Sequence, residues 1–135
     1  MLESLTRRLL PALLAAVLIS LTASYVRAAE LVMFEADDCT WCRAWNEDIG
    51  PIYPKTAEGR RAPLRRVDIH APRPGDLAGI DGVRFTPTFV LVDDEGREVG
   101  RINGYPGQDF FWGMLGELIA KLPDEAPDLD PVTSI

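Results

Sequence analysis

Two cysteines are the residues best suited to chemistry in this 135-residue chain: the pair in Cys39-Thr40-Trp41-Cys42. With the second cysteine one helical turn beyond the first, its sulfur can close a disulfide and release whatever the first has attacked. The attacking sulfur must be a thiolate. A helix N-terminus, with its unpaired N–H groups and positive dipole end, favours that form over the thiol. Other uses of two cysteines compete with this one. A structural staple across so short a loop would remove little unfolded-state entropy. Zinc needs about four ligands, and beyond these cysteines the chain has one histidine, His70. Haem attachment wants histidine after the second cysteine, where Arg43 stands. Dithiol exchange is the preferred reading, with Cys39 as nucleophile, Cys42 as resolving thiol, no metal, and no cofactor beyond their disulfide.

The flanking residues supply the elements this chemistry needs. Leu31-Val32-Met33-Phe34 is an apolar run of the kind a strand buried on both faces shows. Arg43 to Ile49 lacks a breaker and reads as a helix, ended near Ile49 by Gly50-Pro51 and Pro54. Lys55 to Arg61 is polar and is expected to break at Gly59. Pro63 to Ile69 alternates as a second strand, with Leu64, Val67 and Ile69 as core contributors and a slip in the period at Arg65-Arg66. The segment His70 to Arg84, rich in proline and glycine, reads as a crossover loop with one helical turn around Asp76 to Ile80. Phe89-Val90-Leu91-Val92 is the strongest β-run, and Glu98 to Ile102 returns antiparallel to it after the turn at Asp93 to Gly96. Gln108 to Leu122 places Phe111, Met114, Leu115, Leu118, Ile119 and Leu122 at helical spacing. The order β-α-β, crossover, β-β-α predicts an α/β domain, a mixed four-stranded sheet flanked by helices.

Compartment follows from the N-terminus. Arg7 and Arg8 precede an apolar segment, and Val26-Arg27-Ala28 offers a small-residue exit. Residues 1–28 are expected to be a secretory signal cleaved after Ala28. The competing reading is a retained membrane anchor, since the eighteen uncharged residues between Arg8 and Arg27 lie at the lower limit for a span. Residues 29–122 are then the working domain, and 123–135 a loose acidic tail. Loss of the leader removes one acid and three bases, moving the formal charge from −7 to about −9. So acidic a domain has no electrostatic case for binding nucleic acid or anionic lipid. Export places the cysteines in an oxidising compartment, where disulfides persist.

Taken together these residues resemble the thioredoxin superfamily over nearly all of 30–122. The carriers are Cys39-Thr40-Trp41-Cys42 after a buried strand, Thr86-Pro87 about 45 residues on, and the hairpin-helix ending. The resemblance implies that Pro87 is cis and packs beside the cysteines. An incoming peptide would pair with the Thr86 backbone while Thr40 and Trp41 line the contact. A narrower resemblance is to SoxS-type periplasmic thioredoxins of bacterial sulfur-oxidation operons. Its carriers are Ile49 to Gly59, Ala62-Pro63, Phe85 to Phe89, and Gly104 to Trp112. It implies a periplasmic reductant of a disulfide or blocked thiol on a partner protein, the sulfur-carrier protein of the thiosulfate-oxidising system. The protein would act as a monomer, re-reduced by a membrane thiol donor. Alternatives are an apocytochrome thiol reductase of cytochrome c maturation and a non-catalytic binding module with a structural disulfide.

One departure from the family stands out. Many thioredoxins carry a buried aspartate six residues before the nucleophile, and Met33 occupies that place. Glu35, four residues before Cys39, is the only nearby substitute, and it reads either as a relay for the resolving thiol's proton or as a solvated strand-end acid. Asp37 and Asp38 oppose ionisation of Cys39 by like charge, which predicts a thiol made only moderately more acidic than usual. Trp41 is expected as an exposed lip and Trp45 as packing. Tyr105-Pro106 is placed beside the groove, and Phe110, Phe111 and Trp112 in the packing. Arg65-Arg66 and His70 read as surface.

Overall fold

The structure, a computed structural model, describes residues 28–123. The leader and the acidic tail, but for Ala28 and Pro123, lie outside them. Strand β1 (Glu30–Glu35) leads to helix α1 (Thr40–Asp48). A 3-10 turn (Tyr53–Lys55), a short helix α2 (Ala57–Arg61) and strand β2 (Leu64–Asp68) follow. After a second 3-10 turn (Gly75–Leu77) come β3 (Thr88–Val92), β4 (Glu98–Asn103) and helix α3 (Gln108–Ile119). The sheet runs β2-β1-β3-β4, with β2 parallel to β1 and β3 antiparallel to both β1 and β4. The expected mixed four-stranded α/β architecture is the one observed.

Side-chain alternation along the strands builds two cores. Leu31, Met33, Phe89 and Leu91 face one side with Cys42 and Trp45 of α1 and Phe111, Leu115 and Leu118 of α3. Trp45 lies fully buried between Tyr53, Phe89 and Phe111, with ring centroids 5.2 to 6.0 Å away. A buried aromatic of this kind stabilises by a few kcal/mol through area alone. Val32, Phe34, Val90 and Val92 face the other side. Among the described residues no helix covers that face. It is closed instead by Leu77, Ile80 and Val83 from the expected crossover segment, with Arg73 stacked over the Phe34 ring at 4.9 Å.

Three local expectations are corrected. Gly59 does not break the chain but sits inside α2, because Thr56 caps that helix: its hydroxyl accepts from the Gly59 amide at 3.0 Å. A Cβ on Gly59 would lie 1.8 Å from the Tyr53 carbonyl oxygen, so only glycine allows this approach. Ile69 falls outside β2 and is only half-buried. Phe110, expected in the packing, is 71% exposed, and Met114 is also exposed.

Candidate functional site

Cys39 ends the loop after β1 and caps α1. Its backbone is extended (φ −83°, ψ 103°), and its amide donates to the Ala36 carbonyl at 3.2 Å. The Cys42 amide donates to Cys39 Sγ at 3.0 Å, so one of the helix's otherwise unpaired donors points at the sulfur expected to act as nucleophile. Cys39 and Cys42 form a disulfide with their Cα atoms 5.2 Å apart. Both are largely buried, Cys39 at 7% exposure and Cys42 at 3%. On reduction the same amide would face a thiolate, a charge-assisted contact stronger than the neutral one.

The second half of the site comes from the turn that enters β3. The Thr86–Pro87 bond is cis. Pro87 is buried and Thr86 half-buried. The Gly104 amide donates to the Pro87 carbonyl at 2.7 Å, and the Thr88 hydroxyl donates to the Phe85 carbonyl at 2.7 Å. Phe34, at the end of β1, pairs with Thr88. The loop to Cys39 and the Pro87 turn therefore emerge at the same end of the sheet. Trp41 (62% exposed) and Phe85 (67%) give that end an apolar rim. Thr40 is exposed, and its hydroxyl accepts from Arg43 Nη2 at 3.2 Å.

Met33 and Glu35, the two positions weighed for an acid, differ in setting. Met33 is fully buried in the core, while Glu35 shares a cleft of about 430 Å³ with Cys42. Arg66 holds Glu35, its Nη1 donating to Oε2 at 2.7 Å, and Nη2 donates to Asn46 Oδ1 at 2.8 Å. The arginine pair is thus not a merely solvated face, for Arg65 also binds Asp76 and Glu30. Tyr105 is buried beside Phe111, and its hydroxyl donates to Asp48 Oδ2 at 2.9 Å. Burial and that carboxylate push its pKa up to about 12. His70 is exposed, its amide held by Asp68. Sequence reasoning missed Arg66, Asn46 and Thr88. Among the described residues no group of three or more His, Cys, Asp or Glu could hold a metal ion, and no helix is long and apolar enough to cross a membrane.

A sheet of this order with a helix-capping Cys-X-X-Cys disulfide and a cis-proline turn at one end defines a thioredoxin-like thiol–disulfide oxidoreductase. The chain belongs to the thioredoxin-like family, whose domain model matches residues 27–119. Among solved structures it is similar to the periplasmic thioredoxin SoxS from Paracoccus pantotrophus, in its reduced form. The two are 47% identical, with a TM-score of 0.64 over 69% of this chain and 97% of that one. A thioredoxin of Malassezia sympodialis, 21% identical with a TM-score of 0.50 over 70% of this chain and 79% of that one, shares the fold. No curated protein matches the chain.

Proposed function

We propose that this oxidoreductase works in the periplasm as a reductant of a cysteine disulfide or blocked thiol on a protein partner, the sulfur-carrier protein of a thiosulfate-oxidising system. The 47% identity to a periplasmic thioredoxin SoxS supports compartment and partner class. The observation that carries the chemistry is the Cys42 amide aimed at Cys39 Sγ at the start of α1.

In the reduced protein the Cys39 thiolate attacks the target sulfur. A Cys39–target disulfide forms, and the target's former sulfur partner leaves as a thiolate. Cys42 then gives its proton to Glu35 and attacks Cys39 Sγ. The target is released as a thiolate that takes up a proton, and Cys39–Cys42 is left oxidised. Thr86 and Pro87 hold the target backbone as an added strand, with Thr40 and Trp41 against its side chains. Two electrons from a membrane thiol donor restore the dithiol.

Trapping tests the reading. Cys42→Ser should accumulate a mixed disulfide with the sulfur-carrier protein in a periplasmic extract. Cys39→Ser should trap nothing and reduce no insulin disulfides. Retained insulin reduction by Cys39→Ser, or capture of apocytochrome in place of the carrier, would overturn it.

A further inference from the structure

Arg66 stands opposite Met33 in the β1–β2 ladder. Its guanidinium reaches three partners on two elements: Glu35 at the end of β1 at 2.7 Å, and on α1 both Asn46 at 2.8 Å and the Trp45 ring, whose centroid is 5.8 Å from Cζ. Glu35, Asn46 and Arg66 line the cleft that Cys42 also lines. The other charged groups on the cleft are Asp37 from the loop before α1, Arg43 on α1 and Asp68 at the end of β2. An ion pair this open to solvent, with Arg66 at 42% and Glu35 at 25% side-chain exposure, contributes little stability. Its geometric effect is larger. A glutamate at a strand end has three free torsions, and the fork, itself fixed by Asn46 and the indole face, holds one of its oxygens in place.

The geometry points to Arg66 as a positioning residue for the resolving half-reaction: it fixes the Glu35 carboxylate on the cleft where Cys42 must lose its proton. This rests on the Glu35 relay described above. In the step it serves, the Cys42 S–H proton passes to the carboxylate and the Cys42–Cys39 bond forms. The Cys39–target bond breaks, and the departing sulfur carries away the electron pair and is protonated.

Stopped-flow reaction of the reduced protein with an uncharged dipyridyl disulfide separates the two halves. The first thiopyridone released reports attack by Cys39, and the second reports resolution by Cys42. Arg66→Met should leave the first phase unchanged and slow the second on the order of tenfold. Arg66→Lys should recover most of that loss. In a Glu35→Gln background Arg66→Met should add nothing, because the arginine acts through the carboxylate. A slow second phase in Glu35→Gln with a normal one in Arg66→Met would overturn this inference and leave the relay standing. A normal second phase in Glu35→Gln would overturn the relay and this inference with it. Slowing of both phases together by Arg66→Met would show general disruption and overturn the positioning role.

Discussion

The Thr88 hydroxyl donates to the Phe85 carbonyl three residues back, at 2.7 Å, and so bridges the cis Thr86–Pro87 bond. Thr88 is the one fully buried polar residue in the described core, and its hydrogen bond fixes the turn proposed above to hold the target backbone. Thr88→Val keeps the shape but leaves the Phe85 carbonyl without this donor, at a cost of about 1 to 2 kcal/mol. Turnover of a protein disulfide should fall severalfold, mainly through KM, while reaction with a small dipyridyl disulfide stays near wild type. Equal losses on both substrates would refute the assignment.

The acidity of Cys39 balances two opposed fields. The α1 N-terminus and the Cys42 amide favour the thiolate, while exposed Asp37 and Asp38 oppose it. Alkylation of the reduced protein against pH should show a midpoint below the ordinary thiol value of about 8.5 but well above the ~3.5 of the strongest oxidants. Asp38→Asn should shift that midpoint to lower pH. A midpoint near 4 in the wild type would rule out a reductant's poise.

Tyr105 gives the fold an alkaline limit. Its folded pKa is raised above the ordinary 10.0 to about 12, by burial and by the Asp48 carboxylate it donates to. The raised value means the folded state favours the protonated phenol. That contribution is complete below about pH 10 and is lost as pH rises through about 12. Urea midpoints should therefore fall more steeply above pH 10 for the wild type than for Tyr105→Phe. Parallel curves for the two proteins would contradict this.

Gly59→Ala should be among the most damaging single methyl additions. The new Cβ would sit 1.8 Å from the Tyr53 carbonyl oxygen and 3.1 Å from Pro54 Cα, both backbone atoms that cannot swing aside. A loss of about 3 kcal/mol is expected, read as a fall in the thermal midpoint with the redox reaction of the remaining folded protein unchanged.

Much of this was legible in the sequence. The run Leu31 to Phe34, the hairpin, and Phe111, Leu115 and Leu118 fell where their periodicities required. What escaped was contact between residues distant in the chain. Arg65 and Arg66 break the period of β2 because neighbouring strand residues face opposite ways. Arg65 reaches Asp76 in the crossover segment, and Arg66 reaches Asn46 on α1. Those partners depend on the parallel register of β1 and β2, which no local pattern specifies. Gly59 misled in the same way. Its composition signals a break, whereas a close approach to Tyr53 is what requires it. Phe110 sits beside an inward Phe111, and helical rotation turns adjacent residues about 100° apart.

The sheet also works as a partition. Behind it, Phe34 and Val90 are sheltered by a proline- and glycine-bearing strap whose regular structure is a single 3-10 turn. Such a cover lacks the ladder bonds that make opening cooperative. Hydrogen exchange is expected to reach the strap's amides before those of the sheet, on whose opposite side the thiols have their own aromatic packing. Transient loosening in one half of the molecule therefore need not alter the reactivity of the sulfurs in the other.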